Sequence, residues 1–338
     1  MKNKFIKFTG LTMLAIFSLF SLTGCTTKNT APANSGPDAA VQENQVKLDT
    51  QVEQGTQATQ DSEDVQTKSG ETRIIDTEDG QVEIPVNPAR VVIQSYVGDL
   101  LAMGVTPVAG DMDPVLFDGL PEGAAYTFLD NYEPETIMDL EPDLIIILKR
   151  STNTDYDKLS LIAPTIKMAD LEMSTEERVN YLGELLGKEE AAKKAIEDYL
   201  QLAGENKQKL INAGITDKEI TVIEGPYIFG EKYGRGSDVV YNFLGFRAPE
   251  KLQKEFDAGN YYLEASMEVL HEYCGDYILR SVYDGSEDLT ADVVWNNIDA
   301  VKNGHVIEID FNQFFARDIY VMSKQITYIT EAILETAK

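Results

Sequence analysis

Cationic and aromatic side chains follow several predicted strands of this sequence, at the points where those strands end. In chain order they are Tyr96, Lys149, Arg150, Tyr227, Tyr233, Arg235 and Arg317. Ligands of open α/β sheets bind beyond the carboxyl ends of the strands, so these residues are candidates for one binding site. Taken singly, each also fits an exposed cation or a half-packed ring. As a set, guanidinium forks and aromatic faces predict an anionic, partly aromatic ligand.

Residue combinations suited to catalysis are sparse. The segment Gly234-Arg235-Gly236 lacks the third glycine of a dinucleotide fingerprint, and His271-Glu272 lacks the second histidine of a zinc-protease motif. With two histidines, the chain is too poor in imidazole for a histidine-based metal site. Cys274 before a predicted strand indicates a small buried residue. We therefore expect no enzymatic activity, no cofactor and no protein-held metal.

The charge balance of the chain limits its partners. The 338 residues include 29 Lys and Arg against 57 Asp and Glu, for a formal net charge of −28. Residues 1–24 contain three lysines and no acid, so the chain from residue 25 onward carries −31. An acidic surface of this size repels nucleic acid and anionic lipid headgroups, so we expect neither as a partner.

The first 70 residues indicate export and anchoring. Residues 1–24 combine a basic start with a short apolar run, which is typical of a signal peptide. They end in Leu22-Thr23-Gly24-Cys25, which resembles the lipobox of bacterial lipoproteins, so Cys25 is the predicted lipidation site. From residue 26 to 70 the chain has no aromatic residue and is predicted to be a disordered tether. We expect an extracytoplasmic protein held at the cell membrane by this lipid.

One long helix organises the rest of the chain. Apolar residues recur at helical spacing between Glu189 and Asn212, after Gly187 and before Gly214, which suit the ends of helices. Strands and helices alternate on both sides of it, which predicts two α/β lobes with mainly parallel sheets. The predicted parts are a first lobe over 71–186, the helix over 187–214 and a second lobe over 215–338.

Several elements of the lobes are predicted individually. They are a hairpin around 78–80, strands at 91–93, 107–109, 144–148, 165–168, 219–223, 276–279 and 306–309, and helices at 98–104, 155–162, 237–244 and 319–334. A capping box, Ser174-Thr-Glu-Glu177, is predicted to begin a further helix just before the long one.

The two predicted lobes repeat a pattern. Glu135 begins a short helical run, and Asp143 precedes an apolar strand eight residues later. Glu268 and Asp276 have the same spacing in the second half. Equal spacing predicts that the two glutamates occupy the same outer face of each lobe.

Several motifs, in their shared order, resemble the iron–siderophore, haem and cobalamin branch of the substrate-binding lipoproteins of ABC importers. They are Asn87-Pro-Ala-Arg90, the segment 98–108, the segment 135–147, the segment 158–165, Tyr233-Gly-Arg-Gly-Ser-Asp238, Ser266-Met-Glu268 and the segment 295–306. This resemblance covers the chain from about residue 71 to its end. It implies a class III periplasmic-binding-protein fold, in which two Rossmann-like lobes are joined by a single backbone helix and hold ligand between them.

The resemblance also implies a function and partners. It predicts a monomeric receptor that captures a ferric siderophore and delivers it to a permease dimer, with iron present only inside the ligand. Glu135 and Glu268 would dock on arginines of the permease; the alternative is a pair of solvated carboxylates favoured by helix dipoles. Haem or cobalamin is an alternative ligand. A lipid-anchored extracellular hydrolase or a structural surface lipoprotein are alternatives of another class.

Overall fold

The computed structural model describes residues 70–114 and 119–337. Within them the chain starts with an antiparallel hairpin of β1 (Thr72–Thr77) and β2 (Gly80–Pro85), as predicted. The tip of this hairpin is attached to the first lobe by two ion pairs, from Lys149 to Glu78 and from Lys167 to Asp79. The predicted signal peptide, Cys25 and the tether up to residue 69 lie outside the described residues.

The first lobe contains a fully parallel five-stranded sheet in the order β5-β4-β3-β6-β7. Its strands are β3 (Val91–Ile93), β4 (Ala109–Gly110), β5 (Thr127–Phe128), β6 (Leu144–Leu148) and β7 (Thr165–Met168). All five residues of β6 are buried, as a continuous apolar run predicts for a strand covered on both faces. Strand β4 lies at the end of the predicted strand 107–109, and β5 was not predicted because two residues are too short to show a pattern.

Short helices connect these strands. They are α1 (Val97–Ala102), α2 (Pro134–Asp139) and α3 (Tyr156–Leu159). The predicted capping box begins α4 (Thr175–Leu186), with Ser174 accepting from the Glu177 amide and Glu177 accepting from the Ser174 amide. Gly187 ends α4 in the left-handed conformation, with φ of 61°.

The predicted long helix is α5 (Glu189–Asn212), whose 24 residues span roughly 36 Å. Its buried residues lie on one face and include Ala192, Ile196, Tyr199, Ala203 and Leu210. Gly214 follows its end with φ of 71°. A single helix therefore leads from the first lobe to the second, as the sequence predicted.

The second lobe contains a five-stranded sheet in the order β10-β9-β8-β11-β12. Its strands are β8 (Ile220–Glu224), β9 (Tyr227–Phe229), β10 (Tyr262–Glu264), β11 (Tyr277–Val282) and β12 (Val306–Asp310). Strands β8, β11 and β12 are parallel, but β9 and β10 run antiparallel at one edge, so this sheet is mixed. The chain reverses at Gly225, whose φ is 55°, and the strand β9 that follows was missed.

The helices of the second lobe include α6 (Glu250–Asp257), α7 (Met267–Leu270), α8 (Asp299–Lys302), α9 (Phe311–Phe314) and α10 (Ile319–Thr336). Part of the helix predicted at 237–244 is a π-helical turn, Val239–Phe243, in which the Leu244 amide donates to the Val239 carbonyl. Helix α10 contacts both α5 and α1, so its start lies between the lobes. In the described ranges, none of the helices combines the length and apolarity that a membrane span requires.

Candidate functional site

A cavity of about 440 Å³ lies between the two lobes, at the carboxyl ends of their parallel strands. Its first-lobe lining comes from the end of β5 and from the loops after β3, β4 and β6, and includes Ser95, Tyr96, Asp111, Met112, Phe128 and Arg150. Its second-lobe lining includes Lys232, Tyr233, Arg235, Phe311, Phe315 and Arg317. A groove of about 650 Å³ runs between α5 and α10, away from the strand ends. We take the cavity between the lobes as the candidate site, because ligands of such sheets bind at strand ends.

The first-lobe wall depends on a left-handed turn after β3. Ser95 and Tyr96 have φ of 61° and 58°, which is unusual for residues with side chains. Asp111 holds this turn by accepting from the Ser95 amide at 2.8 Å and from its hydroxyl at 3.0 Å. Burial raises the pKa of Asp111. The carboxyl group therefore fixes the position of Tyr96.

The hydroxyl of Tyr96 is in turn fixed by a buried acid. It donates to Asp170 Oδ2 at 2.8 Å, and Asp170 is almost fully buried. Arg150 donates from Nε to the same carboxylate at 3.2 Å, while its side chain is 54% exposed. Asp170 thus sets two of the predicted ligand-binding residues in place.

The second-lobe wall is organised around Asp238. Its carboxylate accepts from the backbone amides of Lys232 at 3.1 Å and Gly234 at 3.2 Å, and pairs with Arg317 at 3.1 Å. The loop closes on Asp238 because Lys232, Gly234, Arg235 and Gly236 all have positive φ. A Cβ on Gly234 would stand 2.2 Å from the Phe315 carbonyl oxygen, so only glycine fits there.

Arg235 is held by both charge and aromatic rings. Its Nε and NH2 donate to Glu224 at 3.0 and 3.2 Å. Its guanidinium lies 4.3 Å from the ring centre of Phe229 and 4.9 Å from that of Phe315. This arrangement places an aromatic surface and a neutralised cation on the same wall.

Arg317 connects the two walls. Its NH1 lies 3.4 Å from the Tyr96 hydroxyl of the first lobe, while Asp238 of the second lobe holds its Nε. Each of the arginines Arg150, Arg235 and Arg317 is matched by a carboxylate within 3.3 Å. Lys232 adds a fourth cation to the lining, and Asp111 and Asp113 add two further acids. The cavity therefore carries no excess of positive charge.

The structure brings together five of the seven predicted ligand-binding residues: Tyr96, Arg150, Tyr233, Arg235 and Arg317. Among the described residues that line the cavity, neither Lys149 nor Tyr227 occurs. Lys149 points to Glu78 and Glu172 instead. Tyr227 stacks on Tyr262, with ring centres 5.2 Å apart, and Tyr262 stacks on Tyr233 at 5.9 Å. Tyr227 thus belongs to the layer behind the wall.

Sequence reasoning missed the acids that position the site and the phenylalanines that line it. Asp111 follows β4 directly, so the same rule about strand ends would have found it. Phe311 and Phe315 come after the last strand and are also consistent with that rule. Asp170 begins a 3-10 turn and Asp238 lies directly before the π-helical turn, and in a chain with 57 acids neither residue gives a signal of its own.

Glu135 and Glu268 occupy corresponding positions of the two lobes. Each lies exposed in the first turn of a short helix, α2 or α7. The acids eight residues later also correspond. Asp143 accepts from the Ala89 and Arg90 amides, and Asp276 accepts from the Glu219 amide. The repeated sequence pattern therefore reflects a repeated structure.

The residues suited to other chemistry lie away from the cavity lining. His305 stacks on Tyr277 with ring centres 4.5 Å apart, and its Nδ1 lies 3.1 Å from the Asp276 carbonyl oxygen. Burial raises the pKa of the Cys274 thiol to about 12. In the part of the chain that the structure describes, no group of three or more His, Cys, Asp or Glu side chains could hold a metal ion.

Known proteins show the same fold and sequence features. The family model for periplasmic binding proteins matches residues 94–313. Iron(3+)-hydroxamate-binding protein YxeB of Bacillus subtilis (strain 168) is 31% identical over 302 residues, which cover 84% of this chain and 92% of that protein. Iron(3+)-hydroxamate-binding protein FhuD of the same strain is 31% identical over 281 residues, with coverages of 79% and 88%.

A solved structure from Bacillus subtilis agrees with these matches. It is described as a periplasmic binding protein component of a Fep/Fec-like ferrichrome ABC transporter. It is 30% identical, has a TM-score of 0.69, and covers 76% of this chain and 98% of its own. Both the predicted fold class and the predicted family are confirmed: the chain belongs to the periplasmic binding protein family.

Proposed function

We propose that this protein is the receptor of an ABC importer and that it captures a ferric hydroxamate siderophore in the cavity between its lobes. The observation that carries this proposal is the charge balance of that cavity. Three arginines offer donors there, yet Asp170, Glu224 and Asp238 neutralise them. A ferric ion bound by three hydroxamates has no net charge. A cavity that offers hydrogen-bond donors but no excess of positive charge therefore suits such a complex.

The same balance argues against the anionic ligand predicted from the sequence. A catecholate or carboxylate complex would need local cations that overcome the acidic surface, because screening over about 8 Å leaves only near charges effective. The guanidinium groups here are already committed to carboxylates. Three aromatic rings of the lining are partly exposed, with Phe128 at 42%, Phe315 at 49% and Tyr233 at 38% exposure. These rings can pack against the organic part of a hydroxamate ligand.

Binding without catalysis is part of the proposal. The relatives named above are binding proteins, and the cavity lining lacks both described histidines and Cys274. Iron would enter the site inside its ligand and not as a cofactor of the protein. The receptor would act as a monomer, since one chain supplies both walls of the cavity.

Binding of a panel of ligands to the purified protein tests this function. Quenching of tyrosine fluorescence would be measured with a ferric hydroxamate, a ferric catecholate, ferric citrate, haem and cobalamin. We expect the ferric hydroxamate to bind most tightly. Tightest binding of the catecholate or citrate complex would show that the ligand is anionic, as the sequence predicted. Tightest binding of haem or cobalamin would show that one of these is the ligand. If none binds, the receptor function is wrong.

The membrane attachment belongs to the same proposal. The motif Leu22-Thr23-Gly24-Cys25 supports cleavage before Cys25 and lipidation of its thiol. Each buried methylene contributes about 0.8 kcal/mol, so two or three acyl chains anchor the protein firmly at the outer side of the membrane. Replacing Cys25 with Ser should release the protein into the medium. Retention of Cys25→Ser protein on membranes would contradict the anchor.

Docking to the permease completes the proposal. Glu135 and Glu268 present one carboxylate on each lobe, which suits a two-fold permease that offers an arginine to each. The double variant Glu135→Ala/Glu268→Ala should abolish uptake and leave ligand affinity unchanged. A matched control is Glu189→Ala/Glu190→Ala, which also removes two exposed carboxylates from the first turn of a helix. Equal uptake by the two double variants would end the docking claim.

A further inference from the structure

A buried ionic cluster lies beneath the cavity, where the start of α10 meets the first lobe. Its centre is Arg178 of α4, which is fully buried. Arg178 Nε donates to Asp99 Oδ2 at 2.7 Å, and its NH2 donates to the Arg317 carbonyl at 2.8 Å. Its guanidinium lies 4.2 Å from the ring centre of Tyr96. Arg178 therefore touches both residues that connect the cavity walls.

Two acids complete the cluster. Asp99 of α1 accepts from the Ile319 amide at 2.8 Å, which ties the first lobe to α10. Asp318 is fully buried and accepts from the Val321 amide at 2.8 Å, which caps the start of α10. A Cβ on Gly98 would stand 2.0 Å from Asp318 Oδ1, so a glycine of α1 is needed for this approach. Asp318 is thus enclosed by first-lobe atoms.

The hydrogen bonds of the cluster are incomplete. Within the described ranges, Asp318 Oδ2 and Arg178 NH1 are buried without a hydrogen-bond partner. Two carboxylates also surround a single guanidinium in a site without exposure to solvent. A buried carboxylate with one oxygen unpartnered and no matching charge of its own is more stable in its protonated form.

The other groups around the cluster do not supply the missing charge. Asp99 on α1 and Arg178 on α4 are the charges that act on Asp318. Tyr199 on α5 and Tyr96 also lie near Asp99 and Arg178, and burial raises the pKa of both phenols, so both remain neutral. Arg317, the preceding residue, is paired with Asp238. Burial and the negative charge of Asp99 accordingly raise the pKa of Asp318 to about 7.

We infer that Asp99, Arg178 and Asp318 position Arg317 and Tyr96 for ligand binding, and that Asp318 carries a proton in the form of the protein that binds. The inference rests on the proposed function. All three are positioning residues, since they act on ligand through Arg317 and Tyr96. With Asp318 protonated, one carboxylate and one guanidinium remain, and the cluster is electrically balanced.

The stability of the folded protein should fall as the pH rises and Asp318 loses its proton. Asp318 has a pKa in the folded protein that is higher than the 3.8 of an ordinary Asp. Its proton therefore contributes stability that is fully present below pH 3.8 and is lost as the pH rises towards about 7. At higher pH the buried excess charge favours conformations in which the start of α10 is displaced. Because only the ordered form binds, apparent affinity falls as that form becomes less populated.

Titrations with ferrichrome, a neutral ferric trihydroxamate, at pH 6.0 and 8.5 test the inference. We expect wild-type affinity to fall by about tenfold between these values, the size of a single lost hydrogen bond to a charged group. Asp318→Asn keeps an oxygen to cap α10 and cannot ionise, so it should bind at both pH values as wild type does at pH 6.0. Asp143→Asn is the control, because Asp143 lies outside the cavity lining and holds the Ala89 and Arg90 amides, and it should keep the wild-type ratio between the two pH values.

Two results would overturn the inference: an Asp318→Asn protein with the wild-type pH profile, or one that binds more than tenfold more weakly at both pH values. Urea unfolding provides a readout without ligand. The free energy of unfolding of wild type should fall relative to that of Asp318→Asn as the pH rises from 4 to 8. If the two proteins show the same pH dependence, Asp318 does not carry the proton that the inference requires. If wild type binds no ferrichrome at all, the proposed function fails on its own, and the unfolding curves alone decide the inference.

Discussion

On the first-lobe wall of the cavity, Tyr96 is buried and its hydroxyl donates to Asp170; on the second-lobe wall, Tyr233 is 38% exposed and stacks on Tyr262. The first wall is held by hydrogen bonds to acids at the ends of short loops. The second combines two acids, Asp238 and Glu224, with a layer of aromatic rings. Hydrogen bonds fix the direction in which polar side chains point, whereas aromatic rings provide apolar contact area. The first wall therefore contributes oriented polar groups to the site, and the second contributes apolar surface.

The difference suggests a division of tasks between the lobes. The first wall presents oriented polar groups, which suit the oxygen atoms around a bound ferric ion. The second presents rings that accept organic chains of varied shape, because stacking requires little directional precision. Variants that change one wall and leave the other intact test this division of tasks.

The largest effect should come from removing the acid at the centre of each wall. Asp238→Ala leaves Arg317, which is nearly buried, without its carboxylate and frees two backbone amides, so we expect a loss of about 3–5 kcal/mol in the free energy of unfolding. Asp170→Ala should cost about 1–3 kcal/mol, because its partner Arg150 can turn to water. Urea unfolding at pH 7 measures both. Equal losses would contradict the difference between the walls.

The next effect concerns the turns that shape the walls. Gly234→Ala places a Cβ 2.2 Å from a carbonyl oxygen at φ of 73°, and should cost about 1–3 kcal/mol in stability as well as ligand affinity. Ser95→Gly relieves a left-handed φ but removes the hydroxyl bond to Asp111, so its net change should be under about 1 kcal/mol. Thermal unfolding and ligand titration of both variants test this. A Gly234→Ala protein as stable as wild type would show that the second-lobe turn is adaptable.

Sequence reasoning found most of the architecture because the responsible patterns are local. The capping box at Ser174, the glycines that end α4 and α5, and the apolar run of β6 each depend on a few neighbouring residues. The antiparallel edge of the second sheet was missed because β9 and β10 have only three residues each. Alternation cannot be recognised over so short a length.

The site was predicted only in part, for a physical reason. The rule about strand ends gives the edge of the sheet but not the direction of each side chain. Consecutive residues point in different directions, so Arg150 lines the cavity while Lys149 reaches Glu78 of the hairpin. The neutralising acids were also invisible, since pairing between Arg317 and Asp238 joins residues 79 positions apart. The cations at the strand ends, counted without these acids, therefore predicted the wrong local charge balance.

A smaller effect separates the arginines of the two walls. Arg235→Ala removes a cation packed on Phe229 and Phe315, and should weaken binding of a ferric hydroxamate by about tenfold. Arg150→Ala removes a half-exposed partner of Asp170, and should weaken it by about threefold or less. Lys149→Ala, a cation outside the cavity, is the control. Losses of about tenfold or more for both arginines would instead support an anionic ligand.

The smallest effect concerns Tyr262, which supports the second wall from behind. Its ring stacks on Tyr233 and on Tyr227, and it tilts against Phe229 at 5.5 Å. Tyr262→Ala removes this support and should weaken ligand binding by about 0.5–1.5 kcal/mol, since stacked aromatic pairs contribute that much. Tyr262→Phe keeps the ring and should bind as wild type does. Calorimetric titration of both with a ferric hydroxamate distinguishes packing from hydrogen bonding. If Tyr262→Phe loses as much affinity as Tyr262→Ala, the Tyr262 hydroxyl and not its ring supports the site. The second wall would then depend on hydrogen bonds, as the first wall does.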